Sequence, residues 1–192
     1  ELGELIAGRG VLEVEETKFY AAQAYSAVVF LREHSVIHRD VKPENFLIDS
    51  RGFLKLSGFG FAKSVKDTAG RAFTLVGTVN YMAPEMFRGG GYTYAVDWWG
   101  LGALIYEMCQ GVVPFFQLSP TELVEMHKRN EEVNLVRNRH CVDARIWDLV
   151  SKLLTINQKE RLRFGVEEFK GHALFRFYKK NKFRWSFKGE DM

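Results

Sequence analysis

The chain has 192 residues, enough to bury the core of one domain or of a large piece of one. Its 46% hydrophobic and 27% charged residues exclude a disordered chain, and a net charge of +3 reads as a solvated basic face rather than a nucleic-acid footprint. Cys109 and Cys141 show no metal-ligand spacing and fit a reducing compartment. With no apolar run of about eighteen residues and no leader pattern, a cytoplasmic protein without membrane or nucleic-acid partners is expected.

The chain opens at Glu1 inside a segment that reads as helix, which suggests a piece of a longer protein. Glu13, Glu15, Glu16 and Thr17 then suit a helix start, where carboxylates meet the positive end of the dipole. Behind them Phe19, Tyr20, Ala24, Ala27, Val28 and Leu31 recur at helical spacing and predict a helix over residues 19–31. Short apolar segments at 46–48 and 53–56 flank Asp49-Ser50-Arg51-Gly52, a turn sequence, and predict a small β-hairpin. Periodicity fades over residues 64–79, which reads as an ordered loop.

Residues 96–108, with Trp98, Leu101, Leu104, Ile105 and Met108, are apolar nearly all round. That pattern predicts a buried helix, with Gly111 as its stop. Its one early acidic residue, Asp97, cannot be buried unpaired and should meet backbone N–H groups around His38 and Arg39. Further helices are predicted over 121–128, capped by Ser119 with Pro120 in the first turn, and over 144–154. The expected fold class is mainly α with a small β-hairpin region.

The run His38-Arg39-Asp40-Val41-Lys42-Pro43-Glu44-Asn45 resembles the catalytic loop of a protein kinase. Further matches follow in order. Gly60-Phe61-Ala62-Lys63 continues a metal-binding loop, and Gly77-Thr78 with Tyr81-Met82-Ala83-Pro84-Glu85 is similar to the end of an activation segment. Asp97-Trp98-Trp99-Gly100-Leu101-Gly102 resembles the central helix, and Arg161 the arginine that pairs with the Ala-Pro-Glu glutamate. Phe19-Tyr20-Ala21-Ala22-Gln23 and Asp97-Trp98-Trp99 narrow the resemblance to the cyclic-nucleotide-dependent (cAMP/cGMP-dependent) Ser/Thr kinases. It implies the C-terminal lobe of the protein-kinase-like fold, α+β overall, across residues 1–192, with residues 183–192 beginning a C-terminal tail. Phe183-Arg184-Trp185-Ser186-Phe187 in that tail is read as packing onto the lobe. Glu1-Leu2 aligns just beyond the hinge between the lobes, and no Gly-rich phosphate loop or strand lysine occurs in these residues. An N-terminal lobe and regulatory domains would therefore lie outside this chain.

The resemblance also implies roles. Asp40 would accept the substrate hydroxyl proton, Lys42 would steady the transferred phosphate, and Asn45 would bind a magnesium ion. Glu1, Glu44, Asn45 and Leu47 would face the nucleotide, with Leu47 under adenine. Glu44 and Glu107, with Glu1, align with carboxylates that recognise arginines in basic peptides, and three solvated carboxylates is the competing reading. Val79 and Asn80 stand where a proline and an acidic residue are expected. Thr74 aligns with the phosphorylated threonine of the activation segment, and Thr78 lies near its end. His38 and Arg39 have structural roles, and Glu85 and Arg161 should form a buried, bidentate pair.

One position departs from the pattern. Gly58 stands where the family has the aspartate that holds magnesium on ATP, and magnesium requires hard oxygen ligands. ATP and magnesium are the expected ligands of the family, bound weakly or not at all here. Two readings stay open: a pseudokinase serving as a docking or scaffold module for protein partners, or part of an active ATP-dependent kinase acting on a protein substrate.

Overall fold

A computed structural model of the chain describes residues 1–131, 135–136 and 143–175. Cys141 and the tail over residues 183–192 lie outside the described residues. The helices are α1 (Leu2–Arg9), α2 (Val14–Glu33), α3 (Ala95–Gln110), α4 (Pro120–Arg129), α5 (Ala144–Leu153) and α6 (Gln158–Arg163). Four short strands, β1 (Val36–Ile37), β2 (Phe46–Ile48), β3 (Leu54–Leu56) and β4 (Lys63–Ser64), complete the regular structure.

The middle of the fold is α3. Every one of its residues except Glu107 is buried, as its apolar circumference requires. Trp98, Trp99, Leu101, Leu104, Ile105 and Met108 are wholly removed from water, each contributing roughly 1.5–3 kcal/mol of burial energy. The helix ends at Gly111, in the left-handed region at φ 74°. It packs against α2 on one side and against α5 and α6 on another.

The predicted second helix extends over Val14–Glu33, with Glu16 reaching back to the backbone N–H of Glu13 at 3.2 Å. Its buried Gln23 accepts the backbone N–H of Leu54 at 2.8 Å, tying α2 to the hairpin. That hairpin is the antiparallel pair β2–β3, in register Phe46 to Leu56, with Asp49 closing the turn. Ser119 caps α4 as expected, accepting from the Glu122 N–H at 3.3 Å while the Glu122 carboxylate takes the Ser119 N–H at 2.8 Å.

Three elements were not anticipated. β1 pairs antiparallel with β4, Val36 opposite Ser64, and clips the entry of the catalytic-loop run to the stretch that follows Gly58. The loop expected over residues 64–79 contains the end of that strand, a short 3₁₀ turn at Lys66–Thr68, and a bridge from Ala72 to Tyr92. Finally, α6 forms behind Asn157, whose side chain accepts the N–H groups of Lys159 and Glu160 at 3.1 and 3.4 Å. Among the described residues no helix is long and apolar enough to cross a membrane.

Candidate functional site

Asp97 organises the site from below. Its two oxygens accept the backbone N–H groups of His38 at 2.7 Å and Arg39 at 2.8 Å. Burial drives the Asp97 carboxyl up, and these two bonds oppose the shift by favouring the charged form. Arg39 adopts φ 71°, an uncommon value for a residue with a side chain, and the Asp97 bond helps to fix it there. His38 is buried; its Nε2 donates to the Ser57 carbonyl at 2.8 Å, leaving Nδ1 to accept the Asp40 N–H at 3.4 Å. His38 is thus a strut between two loops.

Above this base, Asp40 gathers the chemistry-bearing side chains. Oδ1 accepts the Thr78 hydroxyl at 2.8 Å and the Thr78 N–H at 3.0 Å. Oδ2 meets Lys42 Nζ at 3.1 Å and Asn45 Nδ2 at 2.9 Å, and the same Nδ2 donates to the Asp40 carbonyl at 2.7 Å. Lys42 also donates to the Thr78 hydroxyl at 2.7 Å. Burial alone would raise the Asp40 carboxyl, but the bonds from Thr78, Lys42 and Asn45 outweigh it and hold the group below its ordinary range. An ionised carboxylate with an ammonium beside it can orient a hydroxyl and take its proton.

Gly58 faces this cluster in the left-handed region, φ 74° and ψ 36°. A Cβ built there would collide with the side-chain amide of Asn45, lying 2.8 Å from Nδ2 and nearer still to Oδ1. The space a residue with a side chain would need is therefore filled by Asn45. For magnesium the available donor set is one neutral amide oxygen, since both Asp40 oxygens are already engaged. Among the described residues no group of three His, Cys, Asp or Glu side chains could hold a metal. Magnesium is usually held through one or two carboxylates together with substrate phosphates and water, and position 58 brings no carboxylate to this cluster.

The other expected site residues divide. Leu47 sits on β2, 43% exposed, and Glu1 stands at the N-cap of α1. Glu107 accepts the Tyr81 hydroxyl, and its own carboxyl is raised by burial and by the nearby Glu44 charge. The Tyr81 phenol is pushed up by burial, with Glu107 and Glu44 adding to the shift. Glu44 and Glu107 are thus electrostatic neighbours, and neither forms an ion pair among the described residues. Thr74 is exposed, and its carbonyl accepts the Tyr92 hydroxyl at 2.5 Å.

Glu85 and Arg161 are buried together, as their pairing demands, but the bidentate geometry is corrected. One bond joins Arg161 Nη2 to Glu85 Oε1. The rest of the guanidinium is diverted, Nε to the Ala95 carbonyl at 2.9 Å and Nη1 to the Thr155 carbonyl at 2.6 Å. Its fork serves three elements rather than one carboxylate. Sequence reasoning gave no role to Tyr81 or Tyr92. Tyr81 belongs to the Tyr-Met-Ala-Pro-Glu run, whereas nothing local marks Tyr92.

Residues 1–175 match the family model described as "Protein kinase domain". The chain is 37% identical over 179 residues to the human cAMP-dependent protein kinase catalytic subunit PRKX, covering 92% of this chain and 48% of that protein. It is 41% identical over 161 residues to cAMP-dependent protein kinase type 3 of Saccharomyces cerevisiae, 82% of this chain and 39% of the relative. Similarity to the cGMP-dependent protein kinase of Toxoplasma gondii is 37% over 178 residues, 91% of this chain and 18% of the relative. The chain thus spans about half the length of these curated relatives or less.

Proposed function

The chain belongs to the protein kinase family, and on that premise we propose that it is a Ser/Thr protein kinase-like lobe with impaired phosphoryl transfer. In this reading it serves as a docking or scaffold module for a basic protein segment. The observation that carries the impairment is Gly58: a left-handed turn with no carboxylate, its side-chain space filled by the Asn45 amide. Losing one neutral oxyanion donor costs about 3–4 kcal/mol in rate. A missing metal carboxylate should cost at least as much, because phosphoryl transfer depends on the metal to neutralise developing charge. Docking is supported by Glu44 and Glu107, two neighbouring carboxylates whose mutual repulsion an incoming guanidinium would relieve.

A second reading, an active kinase, is favoured by the assembled Asp40–Lys42–Thr78 cluster. The experiment that separates them is ATP binding by calorimetry with and without magnesium, plus phosphate incorporation into a basic peptide, on the full-length protein and its Gly58→Asp variant. Asp is among the residues that tolerate the left-handed region, and the Asn45 amide can swing aside, so the variant should fold. The parent is expected to bind ATP weakly and without regard to magnesium. Gly58→Asp should introduce magnesium dependence and raise transfer by on the order of 100-fold or more. Robust magnesium-dependent transfer by the parent would overturn the proposal and establish the second reading.

A further inference from the structure

The hairpin β2–β3 presents two unlike faces. On the inner one Phe46 is buried and Ile48, Leu54 and Leu56 are half-buried, and Gln23 of α2 holds the Leu54 N–H at 2.8 Å. Successive side chains alternate along a strand, so the central residues Leu47 and Lys55 point the other way. Their register sets them directly opposite each other, with Cβ atoms about 4.5–5.5 Å apart. Both are exposed. The ladder continues beyond the strands, where the Ser57 N–H meets the Asn45 carbonyl at 2.8 Å. Asn45 and Ser57 therefore follow Leu47 and Lys55 along the same outward face.

The polar side chains near this face are engaged, with one exception. Asn45 gives its amide N–H to Asp40, and the Ser57 hydroxyl donates to the Asn45 carbonyl at 3.0 Å. Asp49, at the turn, accepts the N–H groups of Arg51 and Phe53 at 2.9 and 3.0 Å and meets Arg51 Nη2 at 3.3 Å. Lys55 forms no ion pair or side-chain hydrogen bond among the described residues. A lysine lays its methylene stem along apolar surface and keeps its ammonium in water. Leu47 and the Lys55 stem thus form an apolar strip, edged by a group with three donors and no acceptor.

We propose that Lys55 is a further ligand-binding residue of the nucleotide site, its ammonium donating to a ring nitrogen of a purine seated on Leu47. The inference rests on the reading of Leu47 as the residue under the base, and adds the group that recognises the base's edge. A purine matches both parts, with a flat face for the leucine and ring nitrogens that accept hydrogen bonds. A plain hydrocarbon ring would use the leucine alone, and a partner's carboxylate the lysine alone. The contact involves neither phosphate nor metal, so the residue at position 58 does not enter it.

The test is calorimetry of adenosine and of its 1-, 3- and 7-deaza analogues with the full-length protein and its Lys55→Met variant. Methionine keeps most of the stem and removes the charge, and the exposed position should tolerate it. Lys55→Met should weaken adenosine about three- to tenfold, the effect of one bond from a charged donor reduced by exposure to water. One deaza analogue, lacking the nitrogen that Lys55 meets, should bind the parent more weakly than adenosine by a similar factor, yet bind Lys55→Met as well as adenosine does. Equal adenosine affinity of the two proteins overturns the proposal, as does equal discrimination among the analogues by both. Adenosine carries no phosphate, so either failure leaves the impaired-transfer reading standing. A parent that binds no adenosine overturns both the role of Lys55 and the place of Leu47 under the base.

Discussion

Replacing Arg161 with Ala removes a buried side chain that is bonded to three separate parts of the lobe. The guanidinium is wholly buried and bonds Glu85, the Ala95 carbonyl and the Thr155 carbonyl, with its carbon 5.3 Å from the centre of the Trp99 ring. Alanine leaves the Glu85 carboxylate, itself 2% exposed in its side chain, without a counter-charge. An uncompensated buried charge of this kind costs about 3–5 kcal/mol. Since a domain's whole stability is about 5–15 kcal/mol, the variant should lose roughly a fifth of it or more. At a slope of ~2 kcal/mol per molar urea, the midpoint should fall by roughly 2 M. Urea titration followed by tryptophan fluorescence reads the shift, and Glu85→Gln combined with Arg161→Met completes a double-mutant cycle. The pair should lose at least about 1 kcal/mol less than the sum of its single changes. A loss below about 1 kcal/mol for Arg161→Ala would refute the reasoning, because it would mean that the charge left behind is solvated.

His127 gives a pH prediction. It is buried among Phe87, Trp99 and Phe115, near Arg88 and Arg161, and burial lowers its pKa to about 4. The unfolded chain takes up this proton below about pH 6.5 while the folded chain resists it until about pH 4, so stability present above 6.5 is lost as pH falls through that window. The loss should approach about 3 kcal/mol, and denaturation at several pH values should show it largely removed in His127→Leu; parallel curves for the two proteins would exclude it. The acidic pair gives a binding prediction: Glu44→Gln and Glu107→Gln should each weaken an arginine-containing peptide about 10- to 100-fold in calorimetry, with little change for a peptide whose arginines are replaced by norleucine. Equal affinity of all variants would place the peptide elsewhere.

Much of the fold was legible because it rests on patterns within single elements. The apolar circumference of residues 96–108 announces a buried helix, and Ser119-Pro120 announces the start of α4. What stayed hidden depends on relations between distant elements. Two-residue strands such as Val36–Ile37 carry no periodicity, and α6, six residues long, is too short to display one. The partnership of Glu85 with Arg161 could be expected from charge and context. Its single-bond geometry could not, because Ala95 and Thr155 compete for the same guanidinium only after folding. Gly58 stands out in the sequence as a departure from the resembled motif, but the occupation of its side-chain space by Asn45 is a fact of three dimensions.

The retention of Asp40, Lys42 and Asn45 beside Gly58 has a physical explanation that requires no catalysis. Asp40 is 6% exposed and accepts from Thr78, Lys42 and Asn45. Removing its carboxylate would leave the half-buried Thr78 N–H without its acceptor and the Lys42 ammonium without its counter-charge, at about 1–3 kcal/mol for each group. His38 and Arg39 are likewise committed through Asp97, which cannot remain buried as an anion without their N–H groups. Gly58 differs in kind: a side chain there would enter the Asn45 amide, whereas glycine lets that amide bond Asp40 directly. The residues that resemble catalytic ones are therefore also the residues that hold the two loops together. Glycine at position 58 leaves that framework intact, which is why the loop sequence alone does not decide between catalysis and docking.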